Sequence, residues 1–109
     1  MLKLLLLALL GATMAGVAAA PVLAGSATVI QEDKKFSATD VTISVGQSVT
    51  FVNKDNVTHN VYSKTPGMAF DLRIQKPGGA SAVPFAHAGE ADVQCAIHPH
   101  MKMKVIVVP

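Results

Sequence analysis

Cysteine is nearly absent from this chain: Cys95 stands alone among 109 residues. A single cysteine excludes the disulfide framework that small exported domains use to supplement a modest core. It rules out the C-x-x-C-H attachment of a c-type haem and leaves a structural zinc site without its usual second thiolate. Excess charge is missing too, since nine Lys and Arg face seven Asp and Glu. That near balance lacks the basic footprint of nucleic-acid binding, and it offers little long-range steering, so weak salt dependence is expected in any encounter. Beyond the first two dozen residues there is no helical period, no internal repeat and no low-complexity tract.

Those first residues read differently. Lys3 gives a short positive start, Leu4 to Leu10 form an apolar run, and small residues lead to Val22-Leu23-Ala24 before Gly25. This is the order of a secretory leader. Residues 1–24 are therefore expected to be a signal peptide, leaving 25–109 as one domain. Gly11, Thr13 and Gly16 interrupt the apolar stretch, whereas a spanning helix needs about 20 predominantly apolar residues. The expectation is an exported, periplasmic domain that leaves the membrane once the leader is cut. A lone thiol in such a compartment is open to oxidation, and a bound metal would protect it.

The remainder is punctuated into short strands. Val41-Thr-Ile43-Ser-Val45 alternates apolar and polar, Gly46-Gln47 turns, and Val49-Thr-Phe51-Val-Asn53 follows. A further extended run covers His59 to Ser63, another Ser81 to Ala86, and Ala91-Asp-Val93-Gln-Cys95 puts Ala91, Val93 and Cys95 on one face. The chain closes on the β-branched Lys104-Val-Ile-Val-Val108. Period-two alternation joined by turn residues predicts an all-β, Greek-key sandwich of about seven or eight strands. The segment 67–80 fits a short helix or an irregular loop.

Chemistry is concentrated in Cys95-Ala-Ile-His98-Pro-His100-Met101-Lys-Met103. It offers a thiolate, imidazoles and thioethers just before the last strand. Soft sulfur with imidazole suits copper, and two histidines, a cysteine and a weak axial methionine form the blue-copper set. His59 is the candidate second histidine, and a sandwich can bring its strand beside that of Cys95. Taken singly, a cysteine is more often a buried small hydrophobe than a ligand, and a methionine more often packing. The C-x2-H-x2-M spacing at an inter-strand loop weighs against coincidence. Zinc is the rival metal, but methionine serves it poorly. A nucleophilic enzyme built on Cys95 would need a cleft and an orienting residue for which so small a sandwich has little room.

These motifs resemble the cupredoxins, and within them amicyanin and related small plastocyanin-like proteins, from about Thr42 onward. Val45-Gly46-x-x-Val49-x-Phe51-x-Asn53-x-Asp55 is similar to the strand pair before the first ligand. His59-Asn60-Val61 is similar to the first-ligand motif, and Cys95-x-x-His98-Pro99-x-Met101 to the amicyanin-type ligand loop. The resemblance implies one type 1 copper per chain, held by His59, Cys95 and His98 with Met101 as the long axial ligand. Met103 has the spacing of longer loops and is the alternative to Met101. Asn53 falls where the family has an asparagine bonded to the cysteine loop. The alternative from the residues alone is a turn-forming strand end. The resemblance further implies a monomeric electron carrier, not an enzyme. Its partner would be a c-type cytochrome, a quinoprotein dehydrogenase or a copper oxidase. The edge of His98 would lie in an apolar patch supplied by Ala96, Ile97, Pro99 and Met68, and its redox behaviour would depend on acid. The other reading is copper delivery through the same ligands. His100 is read as a solvent-facing loop residue, a docking contact or a stray ligand, and His87 as surface.

Overall fold

The structure, a computed structural model, describes residues 25–109. The expected leader at 1–24 lies outside the described residues. Within them there is no helix, and nine strands form two sheets: β1 (Ala27–Glu32), β2 (Lys35–Phe36), β3 (Asp40–Ser44), β4 (Ser48–Asn53), β5 (Tyr62–Ser63), β6 (Phe70–Asp71), β7 (Ala80–Pro84), β8 (Gly89–Gln94) and β9 (Lys102–Val108). One sheet runs β2-β1-β4-β7 and the other β3-β9-β8-β5-β6. The chain crosses between sheets after β2, β3, β4, β6 and β7. The β1–β4 and β3–β9 pairs are parallel, and the remaining pairs are antiparallel.

Alternation places the core. In β4 the inward residues Val49, Phe51 and Asn53 are all fully buried, and in β8 and β9 the inward set is Ala91, Val93, Met103, Val105 and Val107. Burying a side chain of the Val or Phe class contributes about 1.5–3 kcal/mol. The four phenylalanines form one chain of ring contacts through the core, Phe36–Phe51–Phe70–Phe85, with centroids 5.9–6.4 Å apart.

The sandwich is the expected one, with more strands than seven or eight because β2 and β6 are two residues long. β1 has no counterpart among the strands expected from sequence, because its inward positions include polar Gln31 beside Val29. The stretch 67–80 holds β6 and turns rather than a helix. The extended run from His59 is also shorter as strand than expected. Only Tyr62–Ser63 pairs continuously, and His59 meets Gln75 in an isolated bridge. Between the Tyr62–Asp71 pair and that bridge one chain spends two residues and the other three. The extra residue makes a bulge at Arg73, whose φ of 60° is left-handed, and turns Ile74 out to 63% exposure.

Candidate metal centre

Three elements converge at one end of the sandwich. Register fixes which end. Gln94, the last residue of β8, pairs with Lys102, the first of β9, so Cys95 and the loop 96–101 cap that end. Cys95 continues the inward face of β8 and is 1% exposed. The loop is closed tightly: Met101 N–H donates to the His98 carbonyl at 2.9 Å and Cys95 N–H to the Met101 carbonyl at 3.3 Å. His59 reaches the same point from the segment after β4. Asn53 sets that approach, its side-chain amide donating to the Val57 and Gln75 carbonyls, both at 2.9 Å, while its oxygen accepts from Asp55 N–H.

The ligand atoms of His59, Cys95 and His98 all lie within 4.8 Å of one another. Cys95 Sγ is 3.8 Å from Nδ1 of each histidine. A metal with bonds of about 2.3 Å to sulfur and about 2.0 Å to nitrogen, at a trigonal angle, holds those atoms about 3.7 Å apart. The two sulfur–nitrogen distances therefore match a type 1 copper site, and the donor set of two imidazoles and a thiolate fits one.

Hydrogen bonds fix which atoms face the centre. His59, fully buried, approaches Asp55 Oδ2 with Nε2 at 2.9 Å. A carboxylate accepts, so Nε2 carries the proton and Nδ1 presents its lone pair toward Cys95. Asp55 also accepts from Lys34 N–H at 2.8 Å. The His59 bond, then the Lys34 bond, hold its carboxyl below the usual carboxylate range. His98 is half-buried on the loop. Desolvation first, then unfavourable electrostatics from neighbouring His59, Lys34 and His100, hold its imidazole below the ordinary histidine range. A neutral imidazole keeps its lone pair for a metal.

Asn60 is the site residue that sequence reasoning missed. Its backbone N–H points at Cys95 Sγ from 3.4 Å, and its side-chain oxygen accepts from Ala96 N–H at 3.2 Å. Its amide nitrogen donates to Asp71 Oδ1 and the Arg73 carbonyl. The bond to the cysteine loop expected of Asn53 is therefore made by Asn60, because Asn53 is committed to the 53–57 turn and Gln75. The signal was His59-Asn60 itself: a residue beside a ligand is brought wherever the ligand goes.

The two methionines separate cleanly. Met103 lies in β9, pairs with Val93 and belongs to the apolar core cluster. Met101, 2% exposed, lies in the closing loop outside that cluster. Met68 is a correction. It is buried and its sulfur lies 3.5 Å from where a Cβ on Gly89 would stand, at the far end of β8 from Cys95. It cannot join an apolar patch around His98. Ala96, Ile97 and Pro99 are exposed beside His98 as expected, Ile97 at 46%. His87 is exposed, and exposed His100 bonds the Lys34 carbonyl.

Fold and site together define a β-sandwich with a buried soft-metal centre under one exposed loop. The chain matches the family model of copper binding proteins, plastocyanin/azurin family, over residues 23–108. It is 38% identical over 94 residues to amicyanin from Paracoccus versutus, covering 84% of this chain and 71% of that one. It is 31% identical over 78 residues to the methylamine utilization protein MauL of Methylophilus methylotrophus, covering 69% of this chain and 45% of that one. A solved Cu(I) amicyanin variant superposes with a TM-score of 0.70 at 28% identity, over 79% of this chain and 85% of that one. The chain belongs to the plastocyanin/azurin family of copper-binding proteins. The resemblance to amicyanin read from the ligand motifs is borne out, and copper is its cofactor.

Proposed function

We propose that this protein is an exported one-electron carrier whose copper is held by His59 Nδ1, Cys95 Sγ and His98 Nδ1, with Met101 as the axial ligand. The observation that carries this reading is the closed donor cluster, in which only His98 is partly exposed. Copper bound there would supply exchange of a single electron between two oxidation states. The chain's own residues do the rest. Asp55 and Asn60 hold His59 and Cys95 in place, so little need move when the charge changes. Met101 is buried at the end of the ligand loop, and the Met103 side chain is spent on core packing, which favours Met101 as the axial donor.

The half-buried His98 sits among exposed Ala96, Ile97 and Pro99. Ile74 is a second exposed apolar residue at this end, flanked by Arg73 and Gln75, whose backbones bond Asn60 and His59. A small apolar surface suits the brief docking of electron-transfer encounters. A quinoprotein dehydrogenase, a c-type cytochrome and a copper oxidase are the partners proposed, and kinship to a methylamine utilization protein favours the dehydrogenase. Burial of His59, Cys95 and Met101 weighs against copper delivery, which needs ligands that an acceptor can reach. Among the described residues no helix is long and apolar enough to cross a membrane. A periplasmic location and a monomeric state belong to the same proposal.

The test is the visible spectrum after Cu(II) addition, repeated with Cys95→Ser. An intense blue copper–thiolate band that the substitution abolishes is expected. A colourless product from the unsubstituted protein would sink the carrier reading.

A further inference from the structure

The turn between β1 and β2 has no part in the ligand set, yet it touches both sides of the site. It is a two-residue hairpin loop, Asp33-Lys34, with both φ values left-handed at 54° and 57°. Such a loop needs that backbone, and Asn-Gly is its usual sequence because glycine takes a positive φ freely. Here a lysine holds the second position, so the conformation is one that its side chain disfavours. Contacts on both faces of the Lys34 backbone hold it. On one side Lys34 N–H donates to Asp55 Oδ2 at 2.8 Å, and the same oxygen accepts from His59 Nε2. On the other side the Lys34 carbonyl accepts from His100 Nε2 at 2.9 Å. His100 lies in the loop that carries His98 and Met101. These four bonded groups run in series from one candidate ligand to the loop of the others: His59, Asp55, Lys34, His100.

We propose that the Asp33-Lys34 turn is a strap: its backbone N–H and C=O join Asp55 behind His59 to His100 in the ligand loop, fixing the two ligand-bearing segments relative to each other. His100 is then a positioning residue, with a role distinct from loop surface, docking contact or ligand. The charge of Lys34 is incidental to this role, which belongs to its backbone. The strap rests on the copper reading only for its consequence. Its existence is a property of the metal-free chain.

The test uses three variants at a single neutral pH. His100→Ala removes the donor. His100→Gln keeps an N–H that reaches the same carbonyl. Lys34→Gly keeps the strap's backbone and removes the side chain. The first readout is hydrogen exchange of the Lys34 and Asn60 amides in the metal-free protein. The second is the rate at which a chelator strips Cu(II) from the loaded protein. His100→Ala is expected to speed both by roughly three- to tenfold, the range one hydrogen bond accounts for. His100→Gln should restore both, and Lys34→Gly should match the unsubstituted chain. The absorption band should keep its position throughout, since no ligand changes. Unchanged amide exchange in His100→Ala overturns the strap. So does a Lys34→Gly variant that behaves like His100→Ala, because the side chain would then carry the effect. Failure of the copper reading is distinguishable: the unsubstituted protein would show no blue band, while amide exchange would still report on the strap.

Discussion

The two imidazoles of the centre are held in opposite ways. His59 is fully buried, bridges Gln75 through its backbone, and has its outer nitrogen locked by a carboxylate that is itself bonded to another strand pair. His98 rides a short loop, is half-buried, and has no carboxylate partner among the described residues. One half of the site is built into the sandwich and the other is laid across its end. Rigidity on the His59 side keeps the geometry fixed. On the proposed function, exposure on the His98 side would give an electron its way in and out.

The sharpest way to break this contrast is to remove each ring in turn. His59→Gly and His98→Gly should both abolish the blue band. Free imidazole should restore it only in His98→Gly, where the lost ring leaves an opening to solvent. At His59 the gap is sealed, and the missing ring also leaves Asp55 without its partner. Titrating both variants with imidazole while following visible absorption checks this. Equal rescue would mean that burial does not separate the two sides.

The methionines sharpen the comparison next. Met103→Ala should cost about 2–5 kcal/mol in denaturant unfolding, as for other buried Met to Ala changes, with the spectrum retained. Met101→Ala should change the band and the reduction potential, because the axial ligand tunes that potential. An exchange of these two phenotypes would assign the axial role to Met103.

Smaller again is the effect of Asp55→Asn. The amide oxygen still accepts from His59 Nε2, so the ring stays, but the charge that polarises it is gone. Metal affinity should fall by about 10–100-fold, the usual loss for such a partner. Competition with a chromophoric chelator measures it. No loss would show that burial alone orients His59.

What the sequence disclosed follows the same division. The His98 half was legible because Cys95-x-x-His98-Pro99-x-Met101 is contiguous, and a loop that closes on itself needs no tertiary information. The inward faces of β4, β8 and β9 were legible from alternation of Val, Phe and Ala. The His59 half was read less completely, because its supports come from distant segments. Asn60 acts only once the fold brings Ala96, Asp71 and Arg73 beside it, and Lys34 reaches Asp55 only through the β1–β2 hairpin. Gln31, polar yet fully buried, masked β1 by breaking its apolar alternation. Met68 looked available for the copper end because sequence gives no register. Gly89, against which it packs, pairs with Val107 at the opposite end.

The smallest expected effect concerns the residue that joins the two halves. Asn60 follows His59 in the chain and bonds both Cys95 and Ala96, and Asp71 orients its amide. Asp71 Oδ1 accepts from Arg73 N–H at 2.7 Å and from the Asn60 amide at 2.8 Å. The Arg73 bond first, with the Asn60 bond adding to it, lowers its carboxyl below the ordinary value of 3.8. A carboxyl lowered by folding stabilises the native state above its unfolded value, and that contribution is lost as pH falls through the lowered one. Asp71 is exposed, so solvent screening keeps the effect small. Unfolding of the metal-free protein, compared with Asp71→Asn across acid pH, should show the native residue's advantage constant near neutrality. It should shrink only below the ordinary carboxylate value. An advantage that persists unchanged into acid would mean that the ionised carboxylate does not hold Asn60, and that the Arg73 carbonyl orients its amide alone.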